Sequence, residues 1–162
     1  NEFKMNEDKK IIYENDGIKI TAFNVDHYPV KPSIGYAIEY NNKKVVLSGD
    51  TKANKVVFEM ATNADLLVHE AILNSLLKNT VKILESKEMH RNSHIVHDIQ
   101  DYHTPPNEIV KLANKANVKT LVLHHLTPSP DNIIIKKLYE KQIKNFNGKV
   151  YLANDGDKFL VK

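Results

Sequence analysis

The stretch Tyr40-Asn41-Asn42-Lys43-Lys44-Val45-Val46-Leu47-Ser48-Gly49-Asp50-Thr51 decides how the chain folds. Two asparagines, which tolerate positive φ, stand between apolar runs and predict a tight hairpin joining strands at 34–40 and 43–48. The second run stops at Gly49-Asp50-Thr51, so the hairpin delivers a carboxylate to a strand end. Beyond it the apolar spacing changes from that of a strand to that of a helix. Val56, Val57 and Met60 share one helical face within 53–61, and 66–68 is a short buried strand. Ile72, Leu73, Leu76, Leu77, Val81 and Leu84 then line one side of a helix over 71–85.

Towards the N-terminus, the polar stretch 1–10 is expected to fray, and strands at 11–13 and 17–25 flank the turn Glu14-Asn15-Asp16-Gly17. Pro29 and Pro32 make the segment that follows a loop, because proline donates no ladder hydrogen bond. Towards the C-terminus, 87–101 carries His90, His94, His97 and Asp98 in weak periodicity and reads as a loop or lid. Thr104 is expected to cap a helix that starts at Pro105-Pro106 and ends near Ala116. An apolar strand over 119–123 runs into His124-His125, a helix spans 131–146, and 150–153 with 158–161 form a closing hairpin around Asn154-Asp155-Gly156. Strands first and strand–helix alternation afterwards predict an α/β (α+β) layered sandwich, with 1–162 as a single unit.

Composition narrows the chemistry. The 162 residues, 41% apolar and 27% charged, suit one soluble globular domain with a true core. With no cysteine, disulfides, thiolate nucleophiles and Cys-ligated metals are excluded, and His, Asp and Glu are left as the strong metal ligands. No apolar run approaches the ~18 residues of a membrane span. The balance of 23 Lys+Arg against 20 Asp+Glu is only mildly basic, and Arg91 is the single arginine. That is a weak nucleic-acid footprint. The chain opens on Asn1 with no signal-peptide pattern, so a segment upstream is expected; the compartment stays open, with the cytoplasm favoured.

His27, Asp50, His69-Glu70 and His124-His125 each follow an apolar strand, so they gather at one set of strand ends, where layered α/β proteins build their sites. Asp50 reads as a strand-end ligand steadied by Thr51, or more plainly as a cap of the next helix. His69 alone reads as a satisfied buried residue, whereas Glu70 is placed to orient an imidazole. His103 precedes a helix N-terminus, where a neutral imidazole and an anionic group are both favoured. Neighbouring strand residues point to opposite faces, so at most one of His124 and His125 serves the site; His125 is chosen as the nearer to the following loop.

The set Val25-Asp26-His27, Gly35-Tyr36, Ser48-Gly49-Asp50-Thr51, Asp65-Leu66-Leu67-Val68-His69-Glu70-Ala71, His103-Thr104-Pro105-Pro106 and Leu121-Val122-Leu123-His124-His125-Leu126-Thr127 resembles the C-terminal half of the metallo-β-lactamase fold. Within that superfamily it is similar to the ribonuclease Z and arylsulfatase-like branch, from about Gly17 to Phe159. Val-Asp-His with Lys31-Pro32-Ser33 leans to the arylsulfatase-like members, and His69-Glu70-Ala71 to ribonuclease Z. The resemblance implies half of a four-layer αββα fold and a binuclear zinc hydrolase, with manganese or iron as other metals for the same donors. It implies that His27 completes the first metal site, that Asp50 bridges both metals and that His125 belongs to the second site. Glu70 and His103 match a non-ligand pair that assists the scissile group and the leaving oxygen. The His-x-His-x-Asp-His loop that supplies the remaining ligands is absent from these residues. The implied activity is phosphodiester hydrolysis of ribonuclease Z type on RNA, or else hydrolysis of small phosphate or sulfate esters. A different class is a metal-free structural or dimerising half-domain. The implied partners are the N-terminal half of the domain or a second copy, in a homo-oligomer, and no membrane.

Overall fold

The structure is a computed structural model and describes residues 8–161. Its strands are β1 (Lys9–Asn15), β2 (Ile18–Asn24), β3 (Ile34–Tyr40), β4 (Lys43–Leu47), β5 (Leu66–Ile72), β6 (Thr120–Thr127) and β7 (Lys149–Leu152). Among the described residues they form one sheet in the order β1-β2-β3-β4-β5-β6-β7, so sheet neighbours are also sequence neighbours. Pairs from β1 to β4 are antiparallel and pairs from β4 to β7 are parallel. Asn41 and Asn42 take φ of 48° and 59° in the β3–β4 turn, as two adjacent asparagines predict.

Parallel neighbours need crossover connections, and helices supply them: α1 (Lys55–Met60) between β4 and β5, α2 (Asn74–Ser86), α3 (His90–Asp98) and α4 (Pro106–Lys115) between β5 and β6, and α5 (Ile133–Ile143) between β6 and β7. The crossover helices α1, α4 and α5 pack against one face of the sheet. The core lies there. Phe23, Ala37, Val46, Leu67, Leu121 and Leu123 of the strands pack with Val57, Phe58, Ile109, Ala113, Tyr139 and Ile143 of the helices. The pleat sends the alternate residues to the other face, where the register lines up Tyr36, Leu47, Val68, Val122 and Tyr151. Tyr36 and Tyr151 of that row are exposed, and Leu47 and Val68 are half-buried. The sheet thus has one sealed apolar face and one partly open one.

Several sequence expectations change; the strand expected over 66–68 runs on to Ile72, and the helix expected from 71 begins at Asn74. Of the stretch expected to fray, residues 1–7 lie outside the described residues, while Lys9 and Lys10 belong to β1. The segment 87–101, expected as a loop or lid, contains α3 and a 3₁₀ turn over Ile99–Asp101. Small Ser93 is buried, with its hydroxyl 3.4 Å from Glu85 Oε1 of α2, and His94 Nδ1 lies 3.1 Å from Asp98 Oδ2 one turn on. Packing and an i,i+4 pair therefore hold a helix whose apolar stripe is weak. The closing hairpin forms only its first strand. Asn154 N donates to Asp157 Oδ2 to make the turn, but 158–161 does not join the ladder, and Phe159 instead rests 5.3 Å from the Tyr151 ring.

Gly49 bends the chain from β4 towards Asp50 at φ +64°, and a Cβ there would fall 2.6 Å from the Ile34 carbonyl oxygen. Gly17 has φ +75° with nothing within 4 Å. Urea denaturation should show Gly49→Ala destabilised by about 1–3 kcal/mol and more than Gly17→Ala, because only Gly49 combines left-handed backbone with a backbone clash.

Candidate functional site

Four strand ends and one helix entry meet at a single edge of the sheet. His27 follows β2, Asp50 follows β4, Glu70 lies in the C-terminal half of β5, His125 lies near the end of β6, and His103 stands just before α4. The His103 ring is 5.0 Å from that of His27 and 5.6 Å from that of His125, centroid to centroid. His125 Nε2 lies 3.6 Å from Asp50 Oδ2. The structure therefore brings His27, Asp50, His103, His125 and Glu70 into one cluster.

His125 reaches Asp50 because β6 is irregular. Glu70 pairs with His124 and Ala71 with Leu126, which leaves His125 as an extra residue with φ 45°. Such a bulge re-aims the side chain, and strict alternation no longer applies. His124 stays in register opposite Glu70, and burial followed by the His125 charge holds its pKa below the usual histidine range against the opposing pull of Asp50.

Asp50 does not cap a helix. Asn54 does so for α1, its Oδ1 accepting from Val57 N at 3.0 Å. The Thr51 hydroxyl, expected to steady the Asp50 carboxylate, instead accepts from Asp26 N and has the Lys52 carbonyl at 2.7 Å and the Asp26 carbonyl at 3.2 Å as alternative acceptors for its one hydrogen. It fixes the loop that carries His27.

Glu70 has no solvent exposure. Its Oε1 accepts from Thr104 N at 2.8 Å, and its Oε2 lies 3.2 Å from His103 Nδ1, an ion-pair distance off hydrogen-bond alignment. Burial raises the Glu70 pKa, with His103 and the Thr104 N–H pulling it down. Thr104 was expected to cap α4; the N-cap is Pro105, and the Thr104 hydroxyl donates to the Thr51 carbonyl at 2.8 Å. Both polar groups of Thr104 thus serve the site's framework. Tyr102, which the sequence reading did not single out, packs edge-on to His27 at 4.9 Å and against His103 at 5.2 Å. Its only signal in the sequence is adjacency to His103.

His69 belongs to the core. Its Nδ1–H donates to its neighbour's carbonyl at 2.7 Å, and its ring stacks on Phe58 at 5.7 Å. Burial drives its pKa down to about 4.

The donors fit a cation in part. His27 Nε2 is buried with no hydrogen-bond partner, an orphan lone pair at the cluster. Two ligand atoms each ~2.1 Å from one tetrahedral ion stand about 3.4 Å apart, close to the 3.6 Å between His125 Nε2 and Asp50 Oδ2. Among the described residues, however, no three His, Asp or Glu side chains are arranged to hold a metal ion by themselves.

The beta-lactamase superfamily domain model matches residues 1–126. The chain belongs to the metallo-β-lactamase superfamily. Among its relatives, the ribonuclease Z of Mycobacterium tuberculosis strain H37Rv is 32% identical over 143 residues, which are 88% of this chain and 48% of that protein. The short form of human tRNase Z shares the fold at TM-score 0.62 and 20% identity, over 96% of this chain and 46% of that one. The metallo-β-lactamase fold protein YhfI of Bacillus subtilis does so at 0.64 and 20%, over 96% and 53%. The chain spans about half the length of the curated relatives it matches.

His69 gives the fold a pH response. Its folded pKa near 4 lies below the unfolded value near 6.5, so its contribution is complete above about pH 6.5. Between there and about pH 4 the unfolded chain binds the extra proton, and stability on the order of 3 kcal/mol is lost. Urea midpoints taken from pH 7 to pH 4 should fall accordingly, and His69→Phe should flatten that slope.

Proposed function

We propose that the chain is the C-terminal portion of a metal-dependent hydrolase that cleaves phosphodiesters in the manner of ribonuclease Z. The observation that carries this reading is the buried Glu70–His103 pair set beside His27, Asp50 and His125, whose nitrogens and carboxylate suit zinc, with manganese or iron as alternatives. His27 and Asp50 would hold one ion, and Asp50 and His125 the other. Bound there, two divalent cations supply Lewis-acid activation of water and of the phosphoryl oxygens. With Nδ1 turned towards Glu70, His103 has Nε2 for exchanging a proton with the leaving oxygen, and the carboxylate fixes which nitrogen carries the hydrogen.

Two protein ligands per ion are fewer than the three or four that such sites use. The remainder would come from an N-terminal half, which would also cover the open sheet face. The ribonuclease Z relatives support RNA as substrate. Hydrolysis of small aryl sulfates or phosphates is the second reading, which the resemblance of Val25-Asp26-His27 with Lys31-Pro32-Ser33 to the arylsulfatase-like members suggests. A metal-free structural role is a third, favoured by the incomplete ligand set.

In the complete protein, His103→Ala should lower kcat by roughly 10²–10⁴ with metal content intact, whereas His27→Ala should lose metal. Loss of metal from the His103 variant would make His103 a ligand. Elemental analysis after dialysis should find residues 1–162 alone metal-poor and inactive, and light scattering should find them self-associated unless an N-terminal half is supplied. A metal-replete, active monomer of these residues would overturn the two-half reading.

A further inference from the structure

We propose that the loop carrying Tyr28 and Lys31 is a stacking rim, on which Tyr28 receives the base of a nucleotide next to the scissile phosphate while Lys31 meets an adjoining phosphate. This rests on the ribonuclease Z-type reading of the site. Tyr28 is bonded directly to His27, yet it is 67% exposed, and Val30 beside it is 55% exposed. Lys31 Nζ lies 5.7 Å from the centroid of the Tyr28 ring. With two thirds of the residue in solvent, the ring is open to a flat partner.

The loop is held too firmly for this exposure to come from a loose surface segment. Val25 N donates to the Ser33 carbonyl at 3.0 Å, closing its base, and Val30 N donates to the His27 carbonyl at 2.9 Å, closing its tip. The Ser33 hydroxyl donates to the Asp50 carbonyl at 3.2 Å, and Lys52 N donates to the Asp26 carbonyl at 2.7 Å. Both ends are thus tied to the segment that bears Asp50. Pro29 and Pro32 fix two φ angles within it. Tyr28, next to His27 on this tied loop, is held exposed at little further ordering cost on binding.

An aromatic ring with an ammonium group over it matches a nucleotide, which brings a π-face and a phosphate together. An aryl ester brings a ring too, but its anionic centre is the group that reacts, which leaves Lys31 without a partner. With one arginine and a formal net charge of only +3, this part of the protein has a small excess of cations, and stacking is a source of affinity that does not depend on net charge. Recognition of this kind is tolerant of sequence, because every base has a π-face.

The test compares the complete, metal-loaded protein with its Tyr28→Ala, Tyr28→Phe and Lys31→Ala variants. The substrate is an RNA hairpin with a single-stranded 3′ extension, made once with ordinary bases and once with abasic sites flanking the cleaved phosphate. Tyr28→Ala should raise KM for the ordinary RNA by about 5- to 150-fold, the range for one lost stacking contact, and should match the parent on the abasic RNA. Tyr28→Phe should stay near the parent, and Lys31→Ala should weaken binding and flatten its salt dependence. An unchanged KM for Tyr28→Ala, or an equal loss on both RNAs, would overturn the stacking role and leave the ribonuclease reading standing. A parent protein that hydrolyses bis(p-nitrophenyl) phosphate or an aryl sulfate but neither binds nor cleaves the RNA would overturn that reading and the stacking role with it.

Discussion

A carboxylate removed from water must be met by protein donors, and the site is assembled around the way Glu70 meets this demand. One oxygen takes the backbone N–H of Thr104 and the other faces His103, so β5 and the entry to α4 cannot separate without stranding a buried polar group. Thr104 passes the constraint on through its hydroxyl to the Thr51 carbonyl, and the Thr51 side chain passes it to Asp26. The chain of bonds runs Glu70, Thr104, Thr51, Asp26, and it ends at the residue before His27. Elements far apart in sequence are thereby held at one edge by groups that cannot leave their partners for water.

Backbone irregularity does the rest. Gly49 in left-handed geometry turns Asp50 out of β4, and the bulge at His125 rotates a histidine that a regular strand would point away. Each is a local departure from ideal geometry supported by a regular neighbour, β3 in one case and β5 in the other. The result is an imidazole and a carboxylate at a separation suited to a shared ion more than to a hydrogen bond.

Much of this was legible in the sequence because His27, Asp50, Glu70 and His125 follow apolar runs that mark strands, and His103 precedes a Pro-Pro helix start. The Asn41-Asn42 turn was legible for a similar reason, since few residues other than glycine tolerate those φ values. What escaped depended on partners. Helix α3 has few apolar residues of its own and is held by α2 and by the His94–Asp98 pair. The bulge at His125 exists only relative to β5, and Thr104 gives up its capping role because Glu70 and Thr51 offer it better-buried partners. The last stretch, 158–161, has a strand-like composition, but Phe159 settles against Tyr151 instead of extending the ladder.

The monotonic order of the sheet has a kinetic side. After β1, every strand pairs with the one synthesised just before it, through a tight turn, the loop 25–33 or a helical crossover. Successive strands are sheet neighbours, so the sheet can grow from β1 to β7 as the chain emerges from the ribosome, and its longest closure, across 73–119 between β5 and β6, is shortened by the helices that fill it. The edge that carries the site is built along the way: His27, Asp50 and Glu70 are set in place as β2, β4 and β5 dock, His103 with the entry to α4, and the cluster closes only when β6 has docked.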